Sequence, residues 1–301
     1  MNAFVIKKHK EFLNNSEEFC IKMIKEIKGE EFRRMQLTQL DMLVEFDKVC
    51  RKHNINYVLF CGSMLGAVRH KGYIPWDDDA DIGILREDYE TFKKYKDEMN
   101  PDICFFQDHY TDHEYRWGYG KLRRTGSAYI RVGQEHLKCK TGIFVDVFPL
   151  DDVPISLAGQ MFQDFYCYCL RKILWSEVAK KNSAGFKKIW FTILSKIPAD
   201  FAFHGYEKYT KKSKNSSPNR VRCLAFPAIG KLYIKNPTKE KYGMPKKWFT
   251  DRAEYLFEGK MLYGSKDYDA ILKYTYGDYM KLPPESQREP HSPCSKIIFP
   301  D

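Results

Sequence analysis

The chain has 301 residues, with 50 Lys+Arg against 40 Asp+Glu, 43% hydrophobic and 15% aromatic residues. That length allows one large domain or two modest ones with a proper core, and aromatic richness with charges of both signs excludes wholesale disorder. No run approaches the roughly 20 apolar residues of a spanning helix. The opening MNAFVIKKHKEFLNN has no secretory apolar stretch, and nine cysteines without a Cys-x-x-Cys pair fit neither a zinc ribbon nor a disulfide framework. A soluble protein of a reducing, cytoplasmic compartment is expected.

In chain order, residues 35–53 place Leu37, Leu40, Leu43, Val44, Val49 and Cys50 near helical spacing, and end in Arg51, Lys52 and His53, which suit the negative end of a helix dipole. Tyr57-Val58-Leu59-Phe60 reads as a short buried strand. Gly62-Ser63 follows at once, and Met64 to Val68 begins a short helix. Lys71 to Trp76 is a turn region. Asp77 to Ile84 runs into a strand, and Arg86 to Met99 forms a charged helix. Further strands are expected at 103–107, 117–122, 127–132 and 142–148. After Pro149 the pattern is helical, with a polar break over Lys211 to Asn219. Short elements follow at Tyr255 to Leu262, then a helix near 267–275 and a Pro-rich tail from Pro283.

Residues 151–250 hold 19 Lys+Arg and 7 Asp+Glu, and they are rich in aromatics. A basic, aromatic surface can meet nucleic acid, an anionic membrane or a phosphorylated substrate; a helical subdomain with solvated lysines is the plainer reading.

The chemistry concentrates at Asp77 to Asp81. Alternate strand residues share a face, so Asp79 and Asp81 point together, about 6–7 Å apart along the strand. Such carboxylates repel each other, and partial burial makes an unpaired charge costly. A hard divalent cation, Mg2+ or Mn2+, resolves both problems; the alternative is an acidic hairpin tip in water. Gly62 permits close backbone approach, and Ser63 offers a hydroxyl beside helical N–H groups, so the two can cradle phosphate oxygens. Asp146 sits inside the apolar run Gly142 to Phe148. A buried Asp needs a partner, either a metal or an Arg or Lys.

Strand–Gly-Ser, a strand with Asp-x-Asp, and a later strand with one Asp together resemble the nucleotidyltransferase superfold. The run from Leu59 to Gly83, LFCGSMLGAVRHKGYIPWDDDADIG, is similar nearly throughout to the signature of LicD-type phosphotransferases, the group that includes the fukutin-related enzymes. Arg86 to Glu90, Val145 to Pro149, Phe257-Glu258-Gly259 and Tyr276 to Met280 look like that family's later landmarks. The resemblance implies an α+β fold: a nucleotidyltransferase-like core with a mixed β-sheet flanked by helices over residues 1–150. A basic, aromatic-rich helical insert over 151–245 and a C-terminal segment over 246–301 packing back on the core complete the expected division.

By the same resemblance, Asp79 and Asp81 would hold Mg2+. Asp146 would be the third carboxylate, as metal ligand or as base for the acceptor hydroxyl. Gly62 and Ser63 would contact nucleotide phosphates. Arg69, His70 and Lys71, and the strand pair Lys121 and Arg123, would add cationic contacts or serve as surface charge. The implied reaction moves a phospho-alcohol, choline phosphate or ribitol phosphate, from a CDP-alcohol to a hydroxyl of a cell-surface glycan or its lipid-linked precursor, releasing CMP. Contact with an anionic membrane at the cytoplasmic face fits the basic insert, and nucleic acid is not the expected partner. Two alternatives stand beside this reading: a cytidylyltransferase that makes the CDP-alcohol, and a basic nucleic-acid-binding protein on a degenerate core.

Overall fold

The computed structural model describes residues 25–213, 219–227, 242–290 and 293–301. Helix α1 (Gly29–Lys52) opens with Glu30 and Glu31 and closes with Arg51 and Lys52, charges that complement its dipole. It starts six residues earlier than the apolar periodicity indicates. Its buried stripe of Met35, Met42, Leu43, Phe46, Val49 and Cys50 packs into the main core.

The central sheet runs β1 (Val58–Leu59), β2 (Asp81–Leu85), β6 (Phe144–Asp152), β4 (Gly120–Arg124), β3 (Cys104–Gln107). Only β2 and β6 are parallel; the other neighbours are antiparallel. This parallel centre explains its own sequence: Ile82, Ile84, Val145 and Val147 are fully buried, as strands covered on both faces require. Helix α2 (Cys61–Arg69) follows β1, and α3 (Arg86–Tyr95) follows β2. Strand β5 (Ala128–Arg131) leaves the central sheet to pair with β11 (Cys294–Ile298). The strand expected at 117–122 begins only at Gly120, because Tyr119 turns its ring onto Phe148 and Phe226.

Beyond β6 the chain builds α4 (Leu157–Lys181), α5 (Gly185–Leu194) and α6 (Ala199–Ser213) around a second apolar cluster of Cys167, Leu170, Leu174, Phe203 and Tyr206. The chain then returns to the sheet. Strand β7 (Arg220–Arg222) pairs with the end of β6, and β8 (Met244–Pro245) pairs with β7. A division at 150/151 therefore falls inside β6. After α7 (Lys247–Thr250), the hairpin of β9 (Arg252–Phe257) and β10 (Lys260–Ser265) and helix α8 (Tyr268–Tyr276) pack against α2. The architecture is the mixed α and β arrangement expected, with a mixed sheet flanked by helices. Of the polar break, residues 214–218 lie outside the described residues. The eight cysteines among the described residues are all free, and no helix among them is long and apolar enough to cross a membrane.

Candidate active site

Register decides what meets at the sheet centre. Asp81 in β2 lies opposite Asp146 in β6, and Asp146 lies opposite Lys121 in β4. The Asp146 N–H donates to the Ala80 carbonyl at 2.8 Å, which extends the pairing back into the acidic loop. Asp79, Asp81 and Asp146 consequently bring carboxylate oxygens within 4.8 Å of one another, and Asp77, Asp78 and Asp79 form a second such triple.

Several contacts impose this crowding. The Gln36 side-chain amide of α1 donates to the carbonyls of Ile74 and Asp77 at 3.2 and 3.0 Å, and that of Gln39 donates to the Asp78 carbonyl at 2.9 Å. The Ser63 hydroxyl accepts the Asp81 N–H at 2.9 Å, pinning the start of β2 to α2. Gly62 is needed because any Cβ there would run into the Asp77 carboxylate. Cys61 begins the helix in the left-handed region, at φ 45°, a strained position of the kind that clusters at functional turns. Glu258 closes the far side: it pairs with Arg33 and accepts the Tyr73 N–H at 2.9 Å.

The electrostatics follow. Burial, then repulsion from Asp79 and Asp78, pushes the Asp77 carboxyl well above its ordinary value; burial with Asp79 and Asp146 does the same to Asp81. Asp79 rises to about 7 through burial and the charges of Asp78 and Asp146. Two cations oppose this. Lys121, buried and ion-paired to Asp146, has its ammonium pulled down to about 7 by burial, which Asp146 only partly offsets. Arg131 of β5 is opposed by burial but held up by Tyr119, Asp146 and Asp79. Both cations lie over the Phe144 ring, at 3.8 and 4.8 Å.

The other predicted cations are otherwise engaged. Arg123 is buried, donating from Nε to Gln107 Oε1 at 2.7 Å and from Nη1 to the Gly142 carbonyl at 2.9 Å. Arg69 donates from Nη1 to the Tyr279 carbonyl at 2.6 Å and from Nε to His70 Nε2 at 2.9 Å. Burial, then the Arg69 charge, lowers the His70 pKa. Lys71 is exposed, its backbone carbonyl accepting the Glu258 N–H.

Arg131, Gln36 and Gln39 escaped sequence reasoning. Polar amides at i and i+3 inside the apolar stripe of α1 were the available signal, since a buried amide must find partners. Nothing local marked Arg131, which reaches the site through the pairing of β5 with β11. A cavity of about 630 Å3 lies further along the same sheet, walled by Tyr89, Trp117, Tyr119, Leu150, Phe203 and Tyr206. Tyr119 joins the two places: its ring lines the cavity and lies 5.2 Å from the Lys121 ammonium that pairs with Asp146.

Carboxylates crowded at this electrostatic cost, beside a strand–Gly-Ser–helix turn, form the candidate site. The family described as LicD/FKTN/FKRP, nucleotidyltransferase domain, matches residues 54–200. The lipopolysaccharide cholinephosphotransferase LicD of Haemophilus influenzae is 29% identical over 276 residues, 86% of this chain and 95% of that protein. An uncharacterized protein of Rickettsia typhi is 41% identical over 71 residues, 24% of this chain and 22% of the relative. One from Rickettsia prowazekii is 46% identical over 52 residues, 17% and 20% respectively. The match to the LicD family over residues 54–200 and the likeness to a cholinephosphotransferase over most of both chains make this chain a transferase enzyme.

Proposed function

We propose that this enzyme transfers a phospho-alcohol, of the choline phosphate or ribitol phosphate kind, from a CDP-alcohol to a glycan hydroxyl and releases CMP. The observation that carries the reading is the convergence of Asp79, Asp81 and Asp146 across β2 and β6, with oxygens within 4.8 Å. The likeness to a lipopolysaccharide cholinephosphotransferase over most of both chains supports the cargo and the acceptor class. The sheet and its Gly-Ser turn support a nucleotidyltransferase-like core, with residues 151–245 as an insert.

The donor set fits a hard divalent cation: three carboxylates, partly or fully buried, two of them with pKa values raised by burial and mutual repulsion. Asp79, Asp81 and Asp146 would hold Mg2+ or Mn2+, which supplies charge neutralisation at the donor's diphosphate. The protein's own work is placement, because phosphoryl transfer asks for alignment and charge stabilisation more than covalent chemistry. Gln36, Gln39 and Ser63 fix the acidic loop. The acceptor hydroxyl forms a bond to the alcohol-bearing phosphorus while the bond from that phosphorus to the bridging oxygen breaks, and CMP leaves with that oxygen. Asp146 serves either as the third metal ligand or as the base that takes the hydroxyl proton, with the Lys121 ammonium beside it. The cavity beyond Tyr119 receives the acceptor sugar, whose C–H faces suit its aromatic walls.

The deciding measurement is CMP release by the full chain from CDP-choline, CDP-ribitol and CDP-glycerol, with lipopolysaccharide as acceptor, in Mg2+ or EDTA. Metal-dependent release from one donor is expected. Release that EDTA leaves untouched overturns the metal assignment. Formation of a CDP-alcohol from CTP, with no release from any donor, overturns transfer in favour of nucleotide synthesis.

A further inference from the structure

Helix α5 is built the wrong way round for a helix covering a core. Phe186, Ile189, Trp190 and Ile193 recur at i, i+3, i+4 and i+7, the spacing of a single apolar stripe. Yet they are 80%, 59%, 50% and 56% exposed, and Phe191 is the helix's buried residue. The stripe does not end with the helix. Lys172 lies 5.2 Å from the Tyr168 ring and 5.8 Å from Phe191, which sets Tyr168 of α4 beside α5. From Tyr168 a second outward row runs back along α4 through Phe165 and Met161, 67% and 62% exposed. Two exposed apolar rows on packed neighbouring helices are uncommon on a soluble face and mark an interaction site.

Around the α5 part of this surface the charge has one sign. Between Glu177 and Asp200 the chain carries Lys180, Lys181, Lys187, Lys188 and Lys196 and no carboxylate. Lys180 pairs with Glu177, while the other four are exposed. Lysines flanking an aromatic stripe are the composition of a helix that lies in the membrane interface, rings among the acyl chains and ammonium groups at the headgroups. We propose that the outward face of α5, continued by Met161, Phe165 and Tyr168 of α4, docks on an anionic phospholipid surface. A second copy of the chain suits the face poorly, since a twofold contact would set lysines against lysines. The inference stands on this face alone and does not rest on the transfer reaction.

The test uses the full chain and two kinds of vesicle, phosphatidylcholine alone and phosphatidylcholine mixed with phosphatidylglycerol. Co-sedimentation with the mixed vesicles is expected, with Trp190 fluorescence quenched by bromine-labelled lipid and that quenching diminished in Trp190→Phe. Removing two interfacial side chains in Trp190→Ser/Ile193→Ser should lower partitioning at least about tenfold. Reversing two charges in Lys187→Glu/Lys188→Glu should lower binding to the mixed vesicles about tenfold or more, and spare whatever binding phosphatidylcholine alone supports. All four positions are exposed, so unchanged thermal unfolding is expected of both variants. Absence of vesicle binding, binding equal in wild type and Trp190→Ser/Ile193→Ser, or a dimer that this variant abolishes would each overturn the proposal.

Discussion

Replacing Asp79 by Asn tests the carboxylate cluster through stability, independently of any substrate. A carboxyl whose pKa is raised on folding contributes stability at low pH and loses it as pH rises through the folded value. For Asp79 that window runs from its ordinary value of 3.8 to about 7. Holding the charged form at pH 8 therefore costs up to about 4 kcal/mol, and solvent reaching this partly exposed group reduces the figure to about 1–3 kcal/mol. Asn keeps the shape and removes the charge. Without metal, Asp79→Asn should unfold at higher temperature than wild type at pH 8, by about 2–6 °C. At pH 5, about a third of the way through that window, the gap should shrink to less than half, and it should close only below the ordinary value of 3.8. Added Mg2+ should raise the wild-type midpoint at pH 8 more than the variant's, and turnover should fall about 10²–10³-fold. Scanning calorimetry at the two pH values, with EDTA or Mg2+, reads all of this. A variant destabilised equally at both pH values, or stabilised by Mg2+ as much as wild type, would refute the argument.

Three further substitutions follow from the same geometry. Lys121→Met removes an amine whose folded value of about 7 lies below its ordinary 10.5. The unfolded chain holds that proton longer, so stability contributed by Lys121 grows between pH 7 and 10.5; thermal midpoints of the variant should be flatter across that window, and parallel curves would count against the buried ammonium. Gly62→Ala places a methyl against the Asp77 carboxylate. It should lower kcat about 10–100-fold by shifting the acidic loop, a loss read by steady-state kinetics in saturating metal. Trp117→Ala opens the cavity wall away from the carboxylates, so it should raise the KM for the glycan acceptor several-fold and leave that for the donor unchanged; a donor effect alone would move the acceptor elsewhere.

Much of this site was written locally in the chain. The run from Val58 to Leu85 contains its own two strands, turn, helix and acidic loop, and Ser63 ties the start of β2 to α2, although Gln36, Gln39 and Glu258 hold the loop from outside this run. Asp146 was legible for a different reason, since the one carboxylate of the apolar run Gly142 to Phe148 must find a partner. Residues that reach the site across the fold were not legible. Arg131 arrives through β5, whose pairing with a strand more than 160 residues later carries no local mark. Arg123 shows the opposite failure: spacing put it beside Lys121 on one strand face, but Gln107 and the Gly142 carbonyl claim it, and neither partner is visible from β4 alone.

The two partners weighed for Asp146, a basic side chain or a metal, turn out to be compatible. A carboxylate offers two oxygens and about four lone-pair positions, and Lys121 engages Oδ1. The remaining capacity faces Asp79 and Asp81. Such sharing has a physical use. Lys121 and Arg131 face five carboxylates, Asp77, Asp78, Asp79, Asp81 and Asp146, and burial together with mutual repulsion keeps Asp79 and Asp81 raised with both cations in place. A cation of two charges at the remaining oxygens would offset that excess, so the cluster is under-neutralised by the protein's own groups in the direction that favours metal capture. On the proposed function, Lys121 would be a local counter-charge without metal and a neighbour to the transferring phosphate with it.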